Sequence, residues 1–110
     1  MNVDKTRGAE GSTDGADTLS ASEQRIFMEW DFEFDEEYYA RFGMLPEYVR
    51  VFEYSKVQAS RGVVQAQYHL GKSYFFGMGA AKDYAAAKRW LQTAAQRGHA
   101  RAKELLGRLP

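Results

Sequence analysis

The sequence predicts an all-α fold, a short α/α superhelical solenoid in which pairs of helices stack along one axis. Two observations predict it. The chain repeats part of itself at a spacing of 36 residues, and apolar side chains within each repeat recur at helical spacing. We expect five helices, at residues 21–41, 47–61, 63–76, 84–97 and 99–108.

The first predicted helix follows an N-terminal tail. Residues 1–18 are rich in Gly, Asp, Ser and Thr, so we expect a disordered tail followed by a helical domain at 19–110. Ser20 and Glu23 have the spacing of a capping box, which marks a helix start. The stretch MEWDFEFDEEYY, residues 28–39, alternates like a half-buried strand. A lone strand would lack a partner unless it paired between molecules, so we favour a helix with two aromatic faces.

The repeat is visible when the chain is shifted by 36 residues, which places YSKVQASRGVVQAQYHLG over WLQTAAQRGHARAKELLG. This register pairs Ala59 with Ala95, Arg61 with Arg97, Gly62 with Gly98, Ala66 with Ala102, Leu70 with Leu106 and Gly71 with Gly107, and further upstream Tyr38 with Tyr74, Gly43 with Gly79 and Tyr48 with Tyr84. So many identities in one register indicate a structural repeat.

Each unit is predicted to contain two helices. Ala66, Leu70 and Tyr74 form the apolar face of the first. GMGAAKD then supplies a turn, with Asp83 as the N-cap of the second helix. The alanine-rich YAAAKRWLQTAAQRG favours a helix that ends at Gly98.

The segment from 63 to 98 strongly resembles a Sel-one-like repeat, a relative of the tetratricopeptide repeat. The residues that carry the resemblance are Ala66, Leu70, Gly71, Tyr74, Gly77, Gly79, Asp83, Ala87, Trp90, Ala94, Ala95 and Gly98. Residues 47–62 and 99–108 resemble parts of neighbouring repeats, so one complete repeat is flanked by degenerate or partial ones. The resemblance implies a scaffold, adaptor or regulatory protein that binds other proteins, commonly bacterial, and implies no chemistry.

The upstream half departs from the family pattern. If residues 27–61 are a degenerate repeat, Trp30 replaces Ala66 and Asp35 replaces Gly71 at close-packing positions. We therefore expect this helix to tilt outward, to act as a modified cap, or to fold differently.

Composition and charge exclude several function classes. The 110 residues contain no cysteine, which excludes disulfides, thiolate nucleophiles and cysteine-based zinc sites. With no signal peptide and no apolar run of membrane-spanning length, we expect a cytoplasmic protein without membrane contact. Residues 1–46 carry four basic and eleven acidic side chains, and residues 47–110 carry eleven basic and four acidic, a split of −7 and +7. This split suggests that the halves dock on each other or meet different partners.

No constellation predicts a catalytic residue, a metal site or a cofactor. Gly77 and Gly79 follow a helix rather than a strand, which favours a structural turn over a phosphate cradle. His69 and His99 are expected on a helix surface and in a loop. The acidic run lacks the glycine-centred loop of an EF-hand, and basic residues on helical repeats usually form a solvated face, so nucleic-acid binding is disfavoured.

One helix face predicts a binding groove. Opposite the core face of helix 63–76 lie Gln65, Tyr68, Lys72, Phe75 and Phe76, and the first helices of such repeats line the concave surface. A second interpretation is that a neighbouring helix or the N-terminal segment covers this face. The groove interpretation gives nine partner-binding residues: Phe32, Glu36, Tyr39, Tyr68, Lys72, Phe75, Phe76, Arg101 and Arg108.

The sequence thus predicts a non-enzymatic protein–protein interaction module that binds a protein or peptide through an aromatic, charge-split groove. An inhibitor or immunity-type protein that neutralises one partner is the alternative within this class, and homodimerisation competes for the same surface. An enzyme is the alternative of another class. On the groove interpretation, Phe76→Ala or Lys72→Glu should abolish binding without loss of stability.

Overall fold

The computed structural model describes residues 18–28 and 36–110, and every regular element in these two ranges is an α-helix. The helices are α1 (Ala21–Met28), α2 (Glu36–Phe42), α3 (Pro46–Ser60), α4 (Val64–Phe76), α5 (Tyr84–Gln96) and α6 (Ala100–Leu106). The all-α class is therefore confirmed for this part of the chain.

The predicted helix bounds agree closely with the structure from α3 onward, where α3 to α6 correspond to the predicted helices at 47–61, 63–76, 84–97 and 99–108. The predicted helix at 21–41 is helical at both ends, in α1 and in the first part of α2, while residues 29–35 lie outside the described residues. Most of the stretch MEWDFEFDEEYY, for which a strand was the alternative, falls on these residues. So do Trp30 and Asp35, the positions of the expected degenerate packing. The predicted disordered tail falls almost wholly on residues 1–17, which also lie outside the described residues.

The capping box at the start of α1 is present. The backbone N–H of Ser20 donates to Glu23 Oε1 at 2.9 Å, and the N–H of Glu23 donates to Ser20 Oγ at 3.2 Å. Two of the N–H groups that a helix start leaves unpaired are satisfied in this way. The same Glu23 carboxylate accepts from the Arg50 guanidinium at 3.0 Å, which joins α1 to α3.

The turns that precede α4 and α6 have the same backbone geometry. In the first, Gly62 N–H donates to Ala59 O at 3.0 Å and Val63 N–H donates to Gln58 O at 3.1 Å. In the second, 36 residues later, Gly98 N–H donates to Ala95 O at 2.9 Å and His99 N–H to Ala94 O at 3.1 Å. Gly62 has φ +89° and Gly98 has φ +94°, a left-handed backbone that glycine adopts without strain.

Helix α4 lies at the centre of the core and contacts each of the other helices. One cluster of buried apolar side chains lies mainly between α4, α5 and α6, and a second lies between α1, α3 and α4. Gly71 allows the close approach of α4 to α5, since a Cβ there would lie 2.5 Å from Leu91 Cγ. This confirms the close-packing role predicted for Gly71.

The loop between α4 and α5 confirms the predicted turn chemistry. Gly77 ends α4 with φ +75°, and Gly79 has φ +81°. The N–H of Gly79 donates to Gly43 O at 2.6 Å, which fixes this loop against the α2–α3 turn. Asp83 caps α5 by accepting from Ala86 N–H at 3.1 Å. Among the described residues, no helix is long and apolar enough to cross a membrane.

Candidate functional site

The face of α4 that was predicted to line an open groove is buried. Tyr68, Lys72, Phe75 and Phe76 are at most 3% exposed, and so is Tyr39 of α2. The prediction that these five side chains face solvent is wrong for this structure. The second interpretation, in which neighbouring elements cover this face, describes the packing correctly.

Three different elements cover the buried face. The ring of Tyr39 in α2 lies 5.5 Å from that of Phe76, centroid to centroid. The His99 ring, just before α6, stacks on Tyr68 at 4.3 Å, and the Arg108 guanidinium lies 5.8 Å from the Phe75 ring. The helical wheel identified the face correctly, but it carries no information on what packs against it.

Lys72 is a buried cation. Its ammonium lies 5.4 Å from the centroid of the Tyr68 ring, within the range of a cation–π contact. Burial also raises the pKa of Tyr68 above its ordinary value, so the phenol stays protonated. Lys72 therefore contributes to the interior rather than presenting a charge to a partner.

The remaining predicted groove residues are dispersed. Arg101 is partly exposed and pairs with Glu104 at 2.6 Å, while Arg108 is exposed at the C-terminal end. Glu36 is the first residue of α2, but its side chain and the whole of Phe32 lie outside the described residues. The structure thus brings Tyr68, Phe75, Phe76 and Tyr39 together as core, not as an open groove.

His69 lies in the interior, so the prediction of a surface position is wrong. Its ring is fully buried, 5.8 Å from the Phe27 ring, and neither of its nitrogens has a hydrogen-bond partner. Burial lowers the pKa of His69 well below 6.5, and the nearby Lys72 charge lowers it further. His69 is therefore a neutral core side chain at pH 7.

His99 has a structural role that the sequence did not reveal. Its Nδ1 accepts from the backbone N–H of Ala102 at 3.2 Å, which caps α6. Since Nδ1 is an acceptor, the proton is on Nε2, which donates to Gln65 Oε1 at 3.0 Å. Histidine occupies here the position that Ser, Thr, Asp or Asn usually takes, so residue-type preference alone gave no signal.

An exposed apolar surface lies at the junction of α2 and α3. It consists of Tyr38, Phe42, Met44 and Leu45, which are between 38% and 60% exposed and which we call the apolar corner. The rings of Tyr38 and Phe42 are 5.1 Å apart, and Tyr38 Oη lies 3.2 Å from Tyr48 Oη. Tyr38 and Phe42 are therefore neighbours in space, and Met44 and Leu45 follow Phe42 in the turn between the two helices.

The apolar corner is held in place from beneath. Gly43 is buried against the α4–α5 loop, because a Cβ there would collide with the carbonyl oxygens of Gly77 and Tyr39. Leu45 N–H donates to Phe42 O at 3.1 Å, and Pro46 begins α3, where its fixed φ suits the first helical turn. The backbone thus fixes Met44 and Leu45 in solvent, although burial would be favourable for both side chains.

The run of apolar residues in YARFGMLPEY was the available sequence signal for this surface. It does not predict a surface, because alternating and helical patterns do not tell which side chains of a turn are left uncovered. Within the described residues, no group of three or more His, Cys, Asp or Glu side chains is arranged to hold a metal ion.

Comparisons of the chain with protein-family models, with curated proteins and with solved structures find no match. The Sel-one-like resemblance therefore depends on the residues and the geometry described above.

Proposed function

We propose that this chain is a non-enzymatic protein-binding module built on a short solenoid of Sel-one-like repeats, and that it contacts its partner through the apolar corner. The observation that carries the proposal is the exposure of four neighbouring apolar side chains on a turn whose backbone is fixed. Contiguous apolar surface that remains exposed on a folded domain typically marks an interaction site.

The repeat part of the proposal is supported by geometry as well as by sequence. Helices α3 and α5 end 36 residues apart, at Ser60 and Gln96, and α4 and α6 begin 36 residues apart, at Val64 and Ala100. The turns between them share their hydrogen bonds and their positive-φ glycines. Repeats of this kind stack a helix pair on its neighbour and leave an end face uncovered.

The position of the partner surface differs from the sequence expectation for a physical reason. Tyr39 and Phe76 pack against each other in the core. The ring of Tyr39 also lies 5.2 Å from that of Tyr38 at the apolar corner. The aromatic side chains predicted to touch a partner thus support, from beneath, the side chains proposed to do so. A rigid support reduces the entropy that is lost on binding.

A specific inhibitor or immunity-type protein is the second candidate within this class. Such a protein would bind one partner tightly in a one-to-one complex, whereas an adaptor would bind several partners weakly. Arg101 and Arg108 remain candidates for additional contacts, since both reach solvent beside the covered face of α4.

Affinity capture from an extract of the cells that make the protein tests the proposal. Three forms are compared: the wild type, the double variant Phe42→Gln/Met44→Gln, and the control Val63→Gln. Val63 is 39% exposed, close to the 43% of Phe42, but lies in the turn before α4. The proposal predicts partners that are retained by wild type and control and lost by the double variant. Partners retained equally by all three forms would contradict the proposed surface.

A further inference from the structure

We infer that the apolar corner also joins two copies of this chain about a twofold axis. The inference rests on the proposed function in one respect, namely that the apolar corner is a contact surface. It adds that a second copy of the chain binds at this surface, as the charges around the corner indicate.

Charged residues of both signs flank the apolar corner along the chain, and we refer to them as its rim. Arg41 lies beside Phe42, Glu37 lies one helical turn before Arg41, and Glu47 follows in the first turn of α3. All three side chains are exposed, and no ion pair joins any of them to another residue in the described parts of the chain. A surface that carries exposed charges of both signs is complementary to a partner that also carries both.

A twofold axis through the apolar corner provides that partner. In such an interface the same patch is used by both copies, so Arg41 of each copy can approach the carboxylates of Glu37 or Glu47 of the other. The apolar side chains then cover one another at the centre, and the charged side chains form the rim, as in other protein interfaces. A strongly acidic or strongly basic partner would satisfy only one of the two signs.

The charge of the whole chain favours the same occupant. The formal net charge is zero at pH 7, so two copies approach without net repulsion. Nucleic acid is a poor occupant of this surface, because two of the three rim charges, Glu37 and Glu47, would face phosphate.

The size of the apolar corner sets the expected strength. Stable dimers bury about 800 Å² on each partner, which is more than four partly exposed side chains supply. We therefore expect a weak dimer, with half-association in the micromolar range or above, about 10 µM to 1 mM. Both copies use the same residues, so each substitution counts twice in the dimer.

Sedimentation equilibrium of the full chain, from about 5 µM to 1 mM, measures the association directly. The inference predicts a mass that rises with concentration toward twice that of the chain and reaches at least about one and a half times that of the chain at 1 mM. Phe42→Gln/Met44→Gln should weaken dimerisation by about 10-fold or more, because it removes apolar contacts twice at the centre of the interface. Arg41→Glu should also weaken it, since three carboxylates would then surround the corner of each copy. The control Val63→Gln should leave it unchanged.

Three results would overturn the inference. The first is a monomer at every concentration. The second is a mass that grows past two copies, as expected if the acidic half of one chain binds the basic half of the next in an open series. The third is a dimer that Phe42→Gln/Met44→Gln does not weaken. Circular dichroism and thermal melting of each variant separate these results from misfolding. A monomeric wild type would overturn the dimer but not the proposed function. The proposed function concerns a different partner protein and is tested separately by the capture experiment.

Discussion

Tyr39 and Phe76 lie ring against ring, with 5.5 Å between their centroids, and both are at most 3% exposed. This contact joins α2 to the end of α4 and covers the face of α4 that the sequence predicts to be open. The sequence predicts that Phe76→Ala abolishes binding without loss of stability. Since Phe76 is buried, the structure predicts instead that this substitution destabilises the fold.

Phe76→Ala should lower the free energy of unfolding by about 3–5 kcal/mol, because it removes a large buried ring and leaves a cavity beside Tyr39. Urea denaturation followed by circular dichroism measures this loss. The control is Met44→Ala, whose side chain is 60% exposed and whose loss should change stability by about 0.5 kcal/mol or less. Equal stability of Phe76→Ala and wild type would show that Phe76 is not core.

The two equivalent turns predict equal effects of two glycine substitutions. Gly62→Ala and Gly98→Ala should each cost about 1–2 kcal/mol, because alanine is strained at the positive φ that both turns require. Neither position has a neighbour closer than 3.7 Å to an added Cβ, so backbone strain dominates in both. Gly107→Ala is the control, since Gly107 has φ −67° and should tolerate alanine within about 0.5 kcal/mol. Clearly unequal costs at Gly62 and Gly98 would contradict the equivalence of the turns.

The contact between Gly71 and Leu91 predicts a coupled pair. Gly71→Ala should destabilise the fold by about 1–3 kcal/mol, because its Cβ would overlap the Leu91 side chain. Leu91→Ala alone should cost about 2–5 kcal/mol by leaving a cavity. The double variant should cost less than the sum, since the added methyl group occupies part of the space that Leu91 vacates. Strict additivity in urea denaturation would show that α4 and α5 do not meet at this point.

The buried histidine predicts a pH dependence of stability. Because burial lowers the pKa of His69 below 6.5, the unfolded chain takes up a proton on this residue more readily than the folded chain does. Stability contributed by neutral His69 is present above about pH 6.5 and is lost as the pH falls below it. His99, whose pKa is lowered by burial and by Lys72, contributes with the same sign.

Urea midpoints between about pH 7.5 and 5 measure this dependence, in a range above the usual titration of carboxylates. The wild type should lose stability toward pH 5, and His69→Leu should lose less. His69→Leu should also be tolerated at pH 7, because both ring nitrogens lack hydrogen-bond partners and their removal leaves no polar group unsatisfied. An unchanged pH dependence in His69→Leu would argue that His69 titrates normally.

The helical part of the fold followed from local signals in the sequence. The capping box at Ser20, the N-cap at Asp83 and the glycine stop at Gly98 each act through neighbouring backbone atoms, so the residues near the feature suffice to predict it. The 36-residue register extended these signals to the positions of whole helices.

The exposed surface could not be predicted from local sequence signals, because the exposure of a side chain depends on contacts between residues distant in sequence. Tyr68 is covered by His99, 31 positions later, and Phe76 by Tyr39, 37 positions earlier. No periodicity within α4 distinguishes a face covered in this way from one that lines a groove. The exposure of Met44 likewise depends on the packing of Gly43 against Gly77, which connects two turns 34 residues apart.

Thiol labelling measures contact between a partner protein and the apolar corner without an affinity step. The chain contains no cysteine, so Met44→Cys introduces a single reactive thiol at the corner and Val63→Cys introduces one elsewhere on the surface. Labelling rates are compared for the purified dilute chain and for the same chain with the captured partner. We predict that the partner slows labelling of Met44→Cys by about 10-fold or more, as expected for a thiol in a water-excluded interface, and leaves Val63→Cys unchanged. Unchanged labelling of Met44→Cys in a complex that forms normally would show that the partner does not contact the apolar corner.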